Sequence, residues 1–163
     1  MYIPKRLQKN LKLINEKCGT NVIIKGEMYC CEQCGFCIMY VGDLKKNLLG
    51  QQFIIPKKET LLITANCRIC GKEIRVFDSH TDGYHRLWGN TVSPQVTDLT
   101  SFSCSKCGGI FFSVELRLEY QPRDDLEADG IYEHEDSFSW IWISLTCAQC
   151  KKHYRDIVDM ETS

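Results

Sequence analysis

The 163-residue sequence lacks any apolar run of about 18 residues, the length that a membrane-spanning helix needs. No apolar stretch follows the charged start at residues 1–6, so no export signal is predicted either. We therefore expect a cytoplasmic protein with no membrane partner, in which thiols stay reduced. The 11 cysteines are then interpreted as metal ligands rather than as disulfides.

The sequence also lacks common catalytic signatures. It has no Gly-rich phosphate loop, no serine nucleophile motif, and no His-x-Glu with Pro-Cys-x-x-Cys as in zinc nucleobase deaminases. We expect no enzymatic activity. The enzyme alternative is a loop site that contains His80 and His85, close to Asp78 and Asp82.

A strong net charge is absent, but the charge is unevenly distributed. The total is −1, with +7 in residues 1–75 and −8 in residues 76–163. A generally basic nucleic-acid binder is not indicated. A nucleic-acid alternative remains if the lysines of the first half share one face. These are Lys5, Lys9, Lys12, Lys25, Lys45, Lys46, Lys57 and Lys58.

Four Cys-x-x-Cys turns are the main feature of the sequence. They are Cys31/Cys34, Cys67/Cys70, Cys104/Cys107 and Cys147/Cys150, and Gly directly follows the first three. Two cysteines at this spacing can face one metal ion, and Gly eases the turn because it adopts positive φ freely. Four turns supply eight thiolates, which is the number that two closed tetrahedral sites need. The sequence therefore predicts two structural zinc ions bound by these cysteines.

The spacing leaves three points open. The turns could pair sequentially, which we favour because neighbours in sequence tend to be neighbours in space, or in a nested way, second with third and first with fourth. Iron uses the same ligands as zinc. The first turn could also shift to Cys34/Cys37, although only Cys31/Cys34 is followed by Gly. With that choice, Cys30 and Cys37 are predicted to be small apolar strand residues, and whether either of them replaces a ligand stays open.

The predicted fold class is mainly β. Strand-like apolar segments flank every turn, so each unit is predicted to be a β-hairpin with a Cys-x-x-Cys tip, and the hairpins to form antiparallel sheets. The turns start 36, 37 and 43 residues apart, which indicates an internal fourfold repeat. Residues 4–17 are predicted to form one N-terminal helix, with Leu7, Leu11 and Ile14 on one stripe.

The same pattern predicts the domain organisation. An N-terminal helix lies in residues 1–20, a first hairpin pair in 21–77, a connecting loop in 78–100 and a second hairpin pair in 101–163. The alternative is one compact domain that contains all four segments.

On its Cys-x-x-Cys turns the chain resembles the zinc-ribbon family, whose hairpin modules hold one zinc between two such turns. The resemblance covers residues 22–41, 62–77, 101–118 and 138–157, and it implies metal ligation by the cysteines named above. Ribbons serve as nucleic-acid binders, as protein-docking modules and as struts in enzymes, so the resemblance leaves the function open. A weaker likeness is to the β-tent proteins, which have an aromatic pocket beside the zinc. The residues that could form such a pocket in this chain are Trp88, Trp140 and Trp142.

Two polar segments between the hairpins are the candidate contact surfaces. Residues 78–98 form a long loop with histidines and aromatics, and residues 119–136 are rich in acids. Long loops on a compact scaffold often carry function. We therefore expect a zinc-stabilised binding protein that contacts a partner, most simply another protein, through these two segments.

Overall fold

The computed structural model describes residues 2–31, 35–84 and 98–162. Within these ranges the fold is mainly β and antiparallel, as predicted. The strands are β1 (Leu11–Cys18), β2 (Val22–Met28), β3 (Phe36–Val41), β4 (Asp43–Lys46), β5 (Gln52–Ile55), β6 (Leu62–Cys67), β7 (Glu73–Asp78), β8 (Thr100–Ser101), β9 (Phe111–Tyr120), β10 (Trp140–Cys147) and β11 (His153–Glu161). The helical elements are the 3-10 helices Lys5–Leu7 and His134–Asp136 and helix α1 (Arg123–Ala128).

Strand β9 is the centre of the main sheet. It pairs with β10 along one edge, and along the other edge with β2 and, at its start, with β3. Strand β1 extends the sheet beyond β2, β11 extends it beyond β10, and β6 and β7 extend it beyond β3. Strand β8 pairs with β3, while β4 and β5 form a separate two-stranded sheet.

Alternate residues of β9 form the middle of the hydrophobic core. The buried ones are Phe112, Val114, Leu116, Leu118 and Tyr120. The sheet curls over this row, so that Phe77 of β7 packs against Phe138, which precedes β10, with ring centroids 6.3 Å apart. One core is therefore shared by strands from both halves of the sequence.

The predicted N-terminal helix over residues 4–17 is wrong. The segment forms a single 3-10 turn and then strand β1, which pairs with β2 from Leu11 opposite Met28 to Cys18 opposite Val22. Pairing satisfies the backbone groups along an edge of β2, and this tertiary gain overrides a local helical pattern. Gly26 allows the close approach, because a Cβ at this position would lie 2.8 Å from Leu11 Cγ.

The prediction of four hairpins is wrong for two of the turns. Residues 67–70 and 147–150 are the tips of hydrogen-bonded hairpins, β6–β7 and β10–β11. The strands on either side of the other two turns are not paired with each other. Strand β2 pairs with β9 instead of β3, and β8 pairs with β3 instead of β9. Strands β2 and β8 thus each pair with a strand from the other half of the chain, and β2 pairs in addition with β1.

The strand order defines a twofold rather than a fourfold repeat. We call β2, β3, β6 and β7 the first unit, and β8, β9, β10 and β11 the second unit. Phe36 lies opposite Cys67 in the first unit, as Phe112 lies opposite Cys147 in the second. Both terminal hairpins carry a register shift at matching positions. The units meet where Phe36 pairs with Phe112, which are equivalent residues.

Gly26→Ala is expected to lower the free energy of unfolding by about 1–3 kcal/mol, because the added methyl group overlaps with the buried Leu11 side chain. Denaturant unfolding measures the change. Leu11→Ala should make room for the methyl group, so the two losses are not expected to add in the double variant. Gly19→Ala is the matched control, since a Cβ there meets only the Asn21 carbonyl oxygen at 3.9 Å. Additive losses would contradict this account of the β1–β2 contact.

Candidate metal centres

Four thiols of the first unit converge to form the first cysteine group. The Sγ atoms of Cys30, Cys31, Cys67 and Cys70 all lie within 4.8 Å of one another. The first two residues follow β2, Cys67 ends β6, and Cys70 lies in the turn to β7. The Sγ atoms of Cys30 and Cys70 are 3.5 Å apart. The backbone N–H of Ile69 donates to Cys67 Sγ over 3.4 Å, a contact that favours the thiolate.

The second unit contains a matching cysteine group. The Sγ atoms of Cys104, Cys107, Cys147 and Cys150 also lie within 4.8 Å of one another. Cys104 Sγ is 3.5 Å from Cys150 Sγ, and Cys107 Sγ is 3.5 Å from Cys147 Sγ. The backbone N–H of Gly109 donates to Cys107 Sγ over 3.4 Å. The two groups thus share their strand positions, and the Cys30–Cys70 contact of the first corresponds to the Cys104–Cys150 contact of the second.

The hairpin tips explain why Gly follows a Cys-x-x-Cys turn. The residue after the second cysteine adopts a positive φ, +72° at Gly71 and +66° at Lys151. Its N–H donates back to the carbonyl of the first cysteine, over 2.9 Å at Gly71 and 3.0 Å at Lys151. Gly adopts this conformation without strain. Lys151 adopts it with its Nζ atom donating to the carbonyl oxygen of Ala148.

Most of the predicted ligands are brought together, in the sequential pairing. They are Cys31, Cys67 and Cys70 in the first group and Cys104, Cys107, Cys147 and Cys150 in the second. The eighth predicted ligand, Cys34, lies outside the described residues. The interpretation of Cys30 as an apolar strand residue is wrong, because its thiol belongs to the first group. Cys37 lies on β3 with its Sγ 3.8 Å from Ser101 Oγ.

The strand register identifies the residue that sequence spacing missed. Glu27 of β2 and Ser101 of β8 occupy equivalent pairing positions in the two units. A cysteine follows each of them three residues later, Cys30 in the first unit and Cys104 in the second. The repeat therefore makes Cys30 the counterpart of Cys104.

The other member of each pair follows from the paired phenylalanines. Cys31 precedes Phe36 by five residues, and Cys107 precedes Phe112 by the same number. The connection in the first unit is two residues shorter, which makes its two cysteines adjacent in sequence. A search for Cys-x-x-Cys cannot find an adjacent pair, whereas a comparison of the two units can.

The chemistry of both groups fits a soft divalent metal ion. A tetrahedral zinc–thiolate site with Zn–S bonds of about 2.3 Å places its sulfurs about 3.8 Å apart. In each group two sulfurs are 3.5 Å apart, and all four lie within 4.8 Å of one another, so an ion of this size fits between them. Each group could therefore hold one metal ion, and the all-thiol donor set is consistent with zinc.

Tyr154 makes the two groups unequal. Its hydroxyl donates to Cys104 Sγ over 3.3 Å and in turn accepts a hydrogen bond of 2.9 Å from the N–H of Ser105. The equivalent residue of the first unit is Ile74, which is buried and has no group to donate. From this strand position, a side-chain donor therefore reaches the second group and none reaches the first.

The equivalent thiols Cys30 and Cys104 accordingly differ in pKa. Burial, together with hydrogen bonding to Cys70 and Cys67, raises the pKa of Cys30 to about 12. Burial also raises the pKa of Cys104, but hydrogen bonds from the Tyr154 hydroxyl and two backbone N–H groups outweigh it and lower the pKa to about 6. Because metals bind thiolates, Cys30 has to release a proton at neutral pH, whereas Cys104 is already ionised.

The alternative catalytic loop has only part of its residues in the described chain. His85 and Trp88 lie outside the described residues. His80 Nε2 is 2.9 Å from Thr60 Oγ1, and the Asp82 carboxylate accepts two hydrogen bonds of 2.7 Å from Arg6. The described polar groups of this loop thus have structural partners.

Trp140 and Trp142, candidates for an aromatic pocket, instead stack on one face of β10. Their ring centroids are 5.6 Å apart, and the rings are inclined by 16°. The guanidinium carbon of Arg117 lies 4.5 Å from the Trp142 ring centroid, and Trp140 Nε1 donates to Asp159 over 2.6 Å. Through these contacts the two half-buried indoles form part of the surface of the sheet.

No family model, curated protein or solved structure matches this chain. No helix in the described ranges is long and apolar enough to cross a membrane. Functional inference therefore depends on the geometry of the chain itself.

Tyr154→Phe is expected to weaken metal binding by the second group about 10- to 150-fold, because a hydrogen bond to a charged acceptor is worth about 1.5–3 kcal/mol. Competition with a chromophoric zinc chelator measures the affinity of each group. Tyr132→Phe is the matched control, because Tyr132 is 71% exposed. Equal affinities of wild type and Tyr154→Phe would show that the hydroxyl does not stabilise the bound form.

Proposed function

We propose that this protein is a two-zinc binding protein in which the metals hold the scaffold and a surface segment contacts a partner. The observation that carries the proposal is the pair of closed four-thiol groups, one in each unit. A metal with four protein thiolates has no open position for a substrate, so both ions are structural. The first zinc is bound by Cys30, Cys31, Cys67 and Cys70, and the second by Cys104, Cys107, Cys147 and Cys150.

The partner surface is the acidic segment, residues 119–136. Helix α1 and the turn after it are anchored by Leu126 and Ile131, which are buried. This anchoring leaves Asp124, Asp125 and Asp129 exposed to solvent. The acids are thus held in place by the core rather than carried on a loop without contacts. Such a surface is complementary to a basic region of another protein.

Part of the acidic segment is neutralised within the chain. Lys5 Nζ lies 3.6 Å from a Glu133 oxygen and 3.7 Å from a Glu135 oxygen, and the Lys5 N–H donates to Asp136 over 3.0 Å. The remaining exposed aspartates on and beside α1 are therefore the acids that a partner would meet. Tyr132 protrudes beside them and adds the aromatic contact that protein interfaces favour.

The other proposed contact loop and the nucleic-acid alternative receive less support. Residues 78–84 are fixed by the Arg6–Asp82 ion pair, and residues 85–97 lie outside the described chain. A nucleic-acid surface needs unpaired cations on one face, but Lys5 contacts the acids described above and Lys25 pairs with Glu115 at 3.4 Å.

Purified wild-type protein is expected to contain two zinc ions per chain, measured by mass spectrometry together with the protein concentration. Cys30→Ser should lose one ion, because it removes a ligand of the first group, whereas Cys34→Ser should keep both. Cys18→Ser is the matched control, since Cys18 is exposed on β1. Loss of zinc from Cys34→Ser with retention in Cys30→Ser would overturn the ligand assignment. Wild-type protein without metal would overturn the two-zinc scaffold.

Asp124→Asn, Asp125→Asn and Asp129→Asn combined are expected to weaken binding of a lysine-rich peptide about five- to tenfold, since exposed charge pairs contribute about 0.2–1 kcal/mol each. Fluorescence anisotropy at low and high salt measures the binding. Glu16→Gln, Glu59→Gln and Glu73→Gln combined are the matched control, because they change the net charge equally at other exposed positions. Equal losses in both triple variants would reduce the effect to net charge and contradict a specific acidic surface.

A further inference from the structure

The hairpin β4–β5 ends in two leucines that are held in solvent. Leu48 is 106% exposed and Leu49 is 86% exposed, the highest values among the large hydrophobic residues in the described chain. Single exposed apolar residues are ordinary on protein surfaces, but two adjacent and fully exposed leucines at an apex are a marker of an interaction site.

The apex is ordered by its own hydrogen bonds. Asn47 Oδ1 accepts from the N–H groups of Leu49 and Gln51 over 3.0 and 2.9 Å, and its Nδ2 donates to Gln51 Oε1 over 3.0 Å. The backbone adds N–H donation from Asn47 to the Gln51 carbonyl and from Gly50 to the Asn47 carbonyl, both 3.0 Å. Gly50 completes the turn at a φ of +79°. The leucines are therefore presented by a preorganised turn, and little conformational entropy remains to be lost on binding.

The same segment has a charge of one sign. Residues 44–58 contain no acid and four lysines, Lys45, Lys46, Lys57 and Lys58, in a chain whose net charge is −1. All four are exposed. Lys45 and Lys46 lie in β4 directly before the apex. The hairpin thus combines an apolar tip with a basic surround.

We propose that this hairpin tip binds the surface of an anionic lipid bilayer. Leu48 and Leu49 enter the boundary between headgroups and acyl chains, and Lys45 and Lys46 contact the lipid phosphates. An anionic bilayer satisfies both halves of the surface at once, because it supplies negative charge at the level of the lysines and an apolar layer below it. The tip is convex, and a bilayer can deform around it. No preformed pocket is therefore needed.

This inference goes beyond the proposed two-zinc binding function and does not depend on the acidic partner surface. It also changes the expectation that the chain has no membrane partner. That expectation came from the absence of a long apolar run, a criterion that a two-residue tip cannot meet. Two leucines bury far less apolar surface than a lipid anchor, so binding should be reversible and should require anionic lipid.

The test is cosedimentation of the zinc-loaded protein with vesicles of phosphatidylcholine, with and without phosphatidylserine. Wild type is expected to bind only the vesicles that contain phosphatidylserine, and less at high salt. Leu48→Ser with Leu49→Ser should weaken binding at least tenfold. Lys45→Gln and Lys46→Gln should each weaken it about fivefold. Ile14→Ser, which removes an apolar side chain exposed on β1, should leave it unchanged.

Zinc content and thermal melts of each variant confirm that a change in binding is not a loss of fold. Failure of wild type to bind phosphatidylserine vesicles would overturn the proposal. So would equal binding by the double leucine variant, which would leave only a general charge effect. If the leucine substitutions change the oligomeric state while vesicles are not bound, the tip contacts a second copy of the chain, and the lipid proposal fails.

Discussion

Closure of the two cysteine groups is the constraint on which the rest of the structure depends. In each unit the strand before the first ligand pair is hydrogen-bonded to the opposite unit, so no β-ladder joins it to the strand that follows. The thiols of each group converge between this corner and the tip of the terminal hairpin, and a metal ion held by them would link the two. Structural zinc contributes about 10–16 kcal/mol of apparent binding free energy at neutral pH. This range overlaps the whole stability of a typical domain, about 5–15 kcal/mol, so a metal ion bound at this corner would be a major part of the stability of the fold.

Local features of this fold could be predicted from the sequence, and features set by the partner strand could not. A Cys-x-x-Cys turn is a local device, so the hairpin tips at 67–70 and 147–150 were recognised. The exchange of β2 and β8 between units depends on which strand edges are free in the other half, which no local pattern records. The same holds for β1. Its leucine spacing fits a helix, but pairing with the edge of β2 and the close approach at Gly26 make it a strand. Cys30 was not the preferred ligand because its place in the first group follows from register rather than from spacing.

The uneven charge along the sequence is partly a structural feature. The basic N-terminus contacts acids from later in the chain, including Asp82, whose carboxylate accepts two hydrogen bonds from Arg6. Burial raises the pKa of Asp82 and lowers the pKa of Arg6, whereas their mutual attraction opposes both shifts. Removal of Arg6 would leave Asp82 with the more distant Arg75 guanidinium at 3.8 Å, so the partly buried carboxylate would lose most of its compensation. Part of the charge difference between the two halves of the sequence is therefore explained by contacts that hold the N-terminus against the curled sheet.

The two proposed contact surfaces occupy equivalent places in the repeat. In the first unit the basic hairpin β4–β5 lies between β3 and β6, and in the second unit the acidic segment with α1 lies between β9 and β10. Each connection also reaches the last strand of the opposite unit, as Phe138 does at Phe77 and as β5 does at β11. The metal ligands and the paired strands are constrained in both units, whereas an exposed connection tolerates changes in charge at little cost in stability. The frame itself requires neither charge, so the opposite charges on the two equivalent connections are free to serve contacts with other molecules.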